Sequence, residues 1–77
     1  HSFYIDEEYR KKGIGRKILG KVIDILKDEN FKEVELTVDP GNKAAKQLYK
    51  DFGFGKIDFR KNEYGRAVNR DLMRLKL

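Results

Sequence analysis

The segment Arg10-Lys11-Lys12-Gly13-Ile14-Gly15 concentrates residue types that could hold an anion. It follows a short apolar run and precedes an amphipathic one, so it reads as a loop that opens a helix. Backbone N–H groups at a helix start lack intrahelical acceptors, and the helix dipole adds partial positive charge there. Gly13 and Gly15 would let the backbone approach a phosphate with no Cβ in the way. Arg10, Lys11, Lys12, Arg16 and Lys17 surround the loop with cations. That chemistry is a phosphate or pyrophosphate cradle. It is not a Walker loop, because no Gly-Lys-Ser/Thr follows, and the third glycine of a dinucleotide fingerprint is missing. The same residues also fit a glycine-softened loop with solvated lysines, and the local pattern alone does not separate the two.

A second set is Asn42, Ala45, Tyr49, Gly53 and Phe54. Singly, each has an ordinary explanation. Asn42 suits a helix N-cap, Tyr49 a core aromatic with its hydroxyl at the edge, and Gly53-Phe54 a helix stop followed by a core residue. Asn42 and Tyr49 stand about two helical turns apart, near one face of the same helix, so both could look into one groove.

The elements that must position these residues follow from periodicity. Phe3-Tyr4-Ile5 is a short strand ended by Asp6, Glu7 and Glu8. A helix is expected over 15–27, with Ile14, Ile18, Val22, Ile25 and Leu26 on its apolar stripe, widened by Leu19 and Ile23. Gly20 inside it costs roughly 1 kcal/mol against Ala, which a close-packed neighbour would explain. Asn30 ends that helix. Val34, Leu36 and Val38 alternate with Glu33, Glu35 and Thr37, the pattern of a strand with one buried face. Asp39-Pro40-Gly41 is a turn, and a second helix runs over 43–52, stopped by Gly53. Strands at 54–60 and 71–77 flank a turn at 62–65, with Met73, Leu75 and Leu77 on one face of the last. The order is β-α-β-α-β-β, an α/β mixed sheet with two helices. Its strand-helix-strand start predicts parallel neighbours, and its closing hairpin predicts antiparallel ones.

Composition narrows the function classes. Seventy-seven residues make one domain. No run approaches the roughly 20 apolar residues of a membrane span. Without cysteine, disulfides and thiolate metal sites are excluded, and one histidine is too few for a zinc site of the usual kind. The lack of cysteine fits a reducing, cytoplasmic setting. A domain this short seldom buries a core worth more than ~3–5 kcal/mol without a staple. The chain also starts at His1 with apolar residues at once. Either the core is very efficient, or a partner chain, a second copy or an upstream segment completes it. A cut sheet would leave an open edge and an uncovered apolar face, which predicts a homo-oligomer.

Taken together, the two segments resemble the GNAT family of acyl-CoA-dependent N-acyltransferases. The family's pyrophosphate loop reads Gln/Arg-x-x-Gly-x-Gly/Ala, matched by Arg10 to Gly15. Ile5-Asp6-Glu7-Glu8-Tyr9 is similar to the strand end that approaches that loop. The Asn42, Ala45, Tyr49, Gly53, Phe54 pattern follows at the usual distance, and the tail with Asp71, Met73, Leu75 and Leu77 is similar to the family's last strand. The resemblance spans almost the whole chain, and it identifies residues 1–77 as a partial GNAT domain, the coenzyme-A-binding, C-terminal half.

The resemblance implies roles for particular residues. Amides around Gly13, Ile14 and Gly15 would hold the pyrophosphate of coenzyme A, with charge from Arg10, Lys11, Lys12 and Arg16. The backbone from Phe3 to Ile5 would pair with the pantetheine arm of acetyl-CoA, and Asn42 would bond the pantetheine or an amide near it. Tyr49 would face the sulfur as general acid while an amine attacks the thioester. A phenol has a reference pKa near 10 and a thiol near ~8.5, so complete transfer runs uphill by ~2 kcal/mol. Tyr49 is then expected to act mainly as a hydrogen-bond donor to developing negative charge. No residue carries over as general base. Asp6, Glu7, Glu8, Glu33 and Glu35 are available carboxylates but read more simply as solvated charges. The implied activity is acetyl transfer to an amine of a small molecule or protein, with a non-catalytic coenzyme A or acyl-CoA-binding module as the alternative. The +5 net charge also raises nucleic-acid binding, but no nucleic-acid motif is present and the cradle accounts for much of the charge. Neither nucleic acid nor membrane is an expected partner.

Overall fold

A computed structural model describes residues 2–5, 15–61 and 69–77. The elements are β1 (Ser2–Tyr4), α1 (Arg16–Asp28), β2 (Glu33–Val38), α2 (Lys43–Asp51), β3 (Gly55–Arg60) and β4 (Arg70–Lys76). Their order is the expected one, and each boundary shifts by a single residue at most. The turn expected at 62–65 lies outside the described residues. No helix among those described is long and apolar enough to cross a membrane.

The four strands form one sheet in the order β1-β2-β4-β3. β1 runs parallel to β2, while β4 pairs antiparallel with both β2 and β3. The parallel pair needs the long crossover that α1 supplies. The register shifts between Lys56 and Asp58, leaving Ile57 in an irregularity of β3. Strand alternation sorts the side chains. Val34, Leu36 and Val38 of β2 stand opposite Leu75, Met73 and Asp71 of β4 and face the helices. Ser2, Tyr4, Glu33, Glu35, Thr37, Leu72 and Arg74 alternate to the other face. There Arg74 pairs with Glu33 and Glu35, Ser2 donates to Glu33, and the Tyr4 and Thr37 hydroxyls share a 3.0 Å hydrogen bond. Among the described residues this second face is largely polar.

The core joins Ile5, Leu19, Ile23, Leu26, Val34, Leu36, Val38, Tyr49, Phe54 and Met73. Leu19, Ile23 and Leu26 form the buried stripe of α1. Ile18 and Ile25, expected in that stripe, are 56% and 58% exposed. The stripe is centred one residue later than the sequence suggested, and Val22 packs at its margin. Asn30 ends α1 in the left-handed region at φ 65°. The Asn30 and Phe31 amides donate to the Lys27 and Leu26 carbonyls.

The two interior glycines behave differently. Gly20 faces the Phe52 ring, as its placement in a helix suggested, yet an added Cβ would sit 3.6 Å from that ring, an ordinary contact. Gly53 closes α2 at φ +103°, where an added Cβ would meet Leu75 at 3.1 Å. Gly20→Ala should therefore stabilise the fold by up to about 1 kcal/mol through helix propensity and lost unfolded-state entropy. Gly53→Ala should destabilise it by about 1–2 kcal/mol through backbone strain. Urea midpoints of the two variants, moving in opposite directions, check both.

Asp71 is the least expected member of the helix-facing layer. It is 1% exposed, with Lys46 Nζ of α2 2.9 Å from Oδ2 and Lys56 Nζ of β3 3.3 Å from Oδ1. Burial pushes its carboxyl up, but hydrogen bonding and charge from Lys46 and Lys56 outweigh that and leave it below its ordinary 3.8. A depressed folded-state value means that the unfolded chain binds more protons, so stability rises with pH through this window. The Asp71 contribution should be complete above 3.8 and lost as pH falls through the lower folded value. Asp71→Asn should unfold at lower urea than the parent at pH 6, and the gap should narrow below pH 4. A gap constant from pH 6 to pH 2 would contradict this assignment.

Candidate functional site

The parallel pair fixes one end of the sheet as the place where candidate residues gather. β1 and β2 point the same way, and α1 feeds β2 through Asn30 and Phe31 at the strands' starting end. The first turn of α1 therefore lies toward the carboxyl end of the strands. α2 starts just after β2 finishes, through the turn at Asp39-Pro40-Gly41, so its first turn lies at the same end. In open α/β sheets, ligands bind in the crevice outside the carboxyl ends of the strands.

Gly15 is the N-cap of α1, with extended backbone at φ −73° and ψ 169°. Its carbonyl accepts from the Leu19 amide at 3.0 Å. Among the described residues no side chain caps this helix, and its first turn holds no acidic residue. The N–H groups of Arg16, Lys17 and Ile18 thus lack intrahelical acceptors. A Cβ placed on Gly15 would meet nothing within 4 Å. Neither its backbone conformation nor packing against the described residues requires glycine here.

Arg16, expected to supply charge for phosphates, pairs with Asp51 at the end of α2. Asp51 also accepts from Gln47 Nε2 at 2.8 Å. The hydrogen bonds from Arg16 and Gln47 hold the Asp51 carboxyl below its ordinary value. Arg16 therefore ties α1 to α2 while its guanidinium stays largely exposed.

Asn42 caps α2, its Oδ1 accepting from the Ala45 amide at 3.1 Å. Its carbonyl accepts from the Lys46 amide at 3.0 Å. Asn42 is an exposed residue. Tyr49 is the buried residue of α2 and packs against Phe54, with ring centroids 5.7 Å apart. It belongs to the core cluster.

On β1, Phe3 makes an edge contact with Phe31 at 5.3 Å. The Ile5 amide donates to the Glu35 carbonyl at 2.9 Å, so that donor already serves the sheet. Arg10, Lys11, Lys12, Gly13 and Ile14 lie outside the described residues. The topology places Gly15 and Asn42, the two helix starts, toward the end of the sheet that β1 points to, while the Arg16 side chain reaches to Asp51 at the far end of α2 and Tyr49 lies further down α2. A groove lined by Gly20, Ile23, Lys27, Phe52 and Leu75 opens near the other end, away from both helix starts.

The ion pairs that tie α2 to its surroundings escaped the sequence reading. Arg16–Asp51 joins residues too far apart in sequence for any local pattern to reveal. Asp71 did leave a signal. It shares strand parity with Met73 and Leu75, which puts a carboxylate on the core-facing side.

The model of the Acetyltransferase (GNAT) family matches residues 1–54. N-alpha-acetyltransferase 50 of Danio rerio is 42% identical over 64 residues, covering 82% of this chain and 38% of that protein. The ribosomal-protein-S18-alanine N-acetyltransferase structure from Escherichia coli aligns at a TM-score of 0.72 with 31% identity, covering 94% of this chain and 48% of that one. A chain of the NatC complex bound to Gag peptide and CoA aligns at 0.78 with 25% identity, covering 99% and 50%. The chain spans half the length of these proteins or less. The family match covers the loop motif, both helices and the strand between them, in the order the structure shows, and so this chain belongs to the Acetyltransferase (GNAT) family.

Proposed function

We propose that this chain is the coenzyme-A-binding half of an N-acetyltransferase. The observation that carries the reading is the start of α1, which no described side chain caps and no described atom crowds at Gly15, at the carboxyl end of a parallel strand pair. An anion there would accept from first-turn amides and gain from the helix dipole. The pyrophosphate of acetyl-CoA fits that chemistry, and Arg10, Lys11 and Lys12 would add charge from the loop. Gly13 and Ile14 would extend the row of amides. Asn42 would present its side-chain nitrogen to the pantetheine while its oxygen stays on the cap.

The reaction is acetyl transfer from the thioester to an amine. The neutral amine nitrogen attacks the thioester carbonyl, a C–N bond forms, the C–S bond breaks, the sulfur leaves as a thiolate, and the proton lost from the nitrogen passes through solvent to that sulfur, giving an amide and a free thiol. Tyr49 would donate a hydrogen bond to that sulfur as charge develops. The names of the relatives point to α-amino groups of proteins as the acceptor class. Absence of cysteine supports a cytoplasmic setting. β1 is three residues long and stands at the sheet edge, with Phe3 and Tyr4 exposed. Another chain or segment continuing the sheet there, a second copy included, belongs to the same proposal.

Calorimetric titration with coenzyme A tests the reading. The parent should bind, and Gly15→Leu, which fills the open space without straining the backbone, should bind about tenfold more weakly with an unchanged unfolding midpoint. Absence of binding by the parent at millimolar coenzyme A would remove the proposal. Tyr49→Phe should retain coenzyme A affinity within about twofold while slowing acetyl transfer to peptide amines by at least about tenfold. Unchanged turnover would take Tyr49 out of the mechanism. Binding with no transfer to any amine would favour the non-catalytic module.

A further inference from the structure

We propose that Asp71 is a positioning residue: through Lys46 it fixes α2 over the sheet and so sets where Asn42 and Tyr49 stand. This rests on the coenzyme A reading above. The geometry is specific. Asp71 projects from β4 into the helix-facing layer and is 1% exposed, while Lys46 and Lys56 reach it from α2 and β3. Lys46 sits between the two site residues, one turn from each. Its own amide closes the first helical bond onto the Asn42 carbonyl. Any shift of Lys46 therefore moves the cap and the tyrosine together.

The two lysines are not equivalent. The Lys46 side chain is 25% exposed and its contact is 2.9 Å, while Lys56 is 51% exposed at 3.3 Å. Lys56 belongs to β3, which carries none of the site residues. Tyr49 is the single fully buried residue of α2, with Ala45 and Leu48 partly buried beside it, so its apolar anchor is small. An ion pair with one short contact selects one placement. A carboxylate on the core-facing side of a strand is costly to bury, and fixing a register is the best-attested use of such a group.

The test compares coenzyme A affinity with thermal midpoint in Asp71→Leu, Lys46→Met, Lys56→Met and Asp71→Glu, with circular dichroism to establish folding. Asp71→Leu removes the buried charge and lets both lysines reach solvent. It should fold and bind coenzyme A about tenfold more weakly. Lys46→Met should show a similar loss, and it decides the matter if Asp71→Leu does not fold. Lys56→Met should bind within about twofold of the parent, whatever its midpoint. Asp71→Glu should recover most of the affinity. Unchanged affinity in folded Asp71→Leu or Lys46→Met would overturn the proposal. So would equal losses in all three substitutions that track their midpoints, which would mark the cluster as structural only. If the parent itself does not bind coenzyme A, the underlying reading fails and this one with it, a result distinct from either of those.

Discussion

The pairing of β4 between β2 and β3 is the constraint on which the rest of the structure depends. β4 comes last in the chain, yet it bonds to both neighbours. Met73 and Leu75 meet Leu36 and Val34 across that junction and form the floor on which both helices pack. β3 has no other described neighbour in the sheet and is exposed along its length. Without β4 it would have nothing to pair with. The sheet therefore closes only when the last segment is in place, a demand for non-local contacts in a short chain.

That layout leaves α2 as the element most in need of anchoring. Nine residues make a helix that is marginal in water by itself. Its apolar anchor is Tyr49, supported by partial burial of Ala45 and Leu48. Polar contacts supply the remainder. Asn42 holds the first turn, Lys46 meets Asp71 at the middle, and Asp51 meets Arg16 at the end. Exposed pairs such as Arg16–Asp51 contribute little in general. The buried Asp71 differs because its carboxylate has left water and depends on partners that come from two other elements.

Element order was legible because each segment shows one period clearly. Alternation in Val34, Leu36 and Val38 fits only a half-buried strand, and Asn30, Asn42 and Gly53 mark helix ends by their chemistry. The facing of α1 was not legible in the same way. Ile18, Val22 and Ile25 make as good a stripe as Leu19, Ile23 and Leu26, rotated by one residue. Periodicity alone cannot choose between two stripes that the helix carries side by side, and the packing surface below chooses. The place of β4 in the sheet was hidden for a related reason, since pairing partners are not written in local order. The candidate site was partly legible. The glycines and cations announced an anion site, and Asn42 was read as both cap and ligand. The Arg16 pairing with Asp51 depends on a helix–helix approach that no local pattern encodes.

The two helix starts at the carboxyl end of the sheet are electrostatically different, and that difference argues for α1 as the anion site. At α2, Asn42 Oδ1 already accepts from Ala45, and the Asp39 carboxylate accepts from the Gly41 amide at 2.9 Å just upstream. An anion arriving there would meet a negative neighbour and fewer unbonded amides. Neither helix has an acid in its first turn, but at α1 no described side chain caps the start, and Arg16 and Lys17 follow at once. Among the described residues one helix start is satisfied by the chain's own side chains, and the other is the one the proposal gives to a ligand. Such a division suits an extended molecule with a charged end and an uncharged amide arm. The charged end needs an open dipole and cations, whereas the amide arm needs a side-chain donor held rigidly, which a capping asparagine provides.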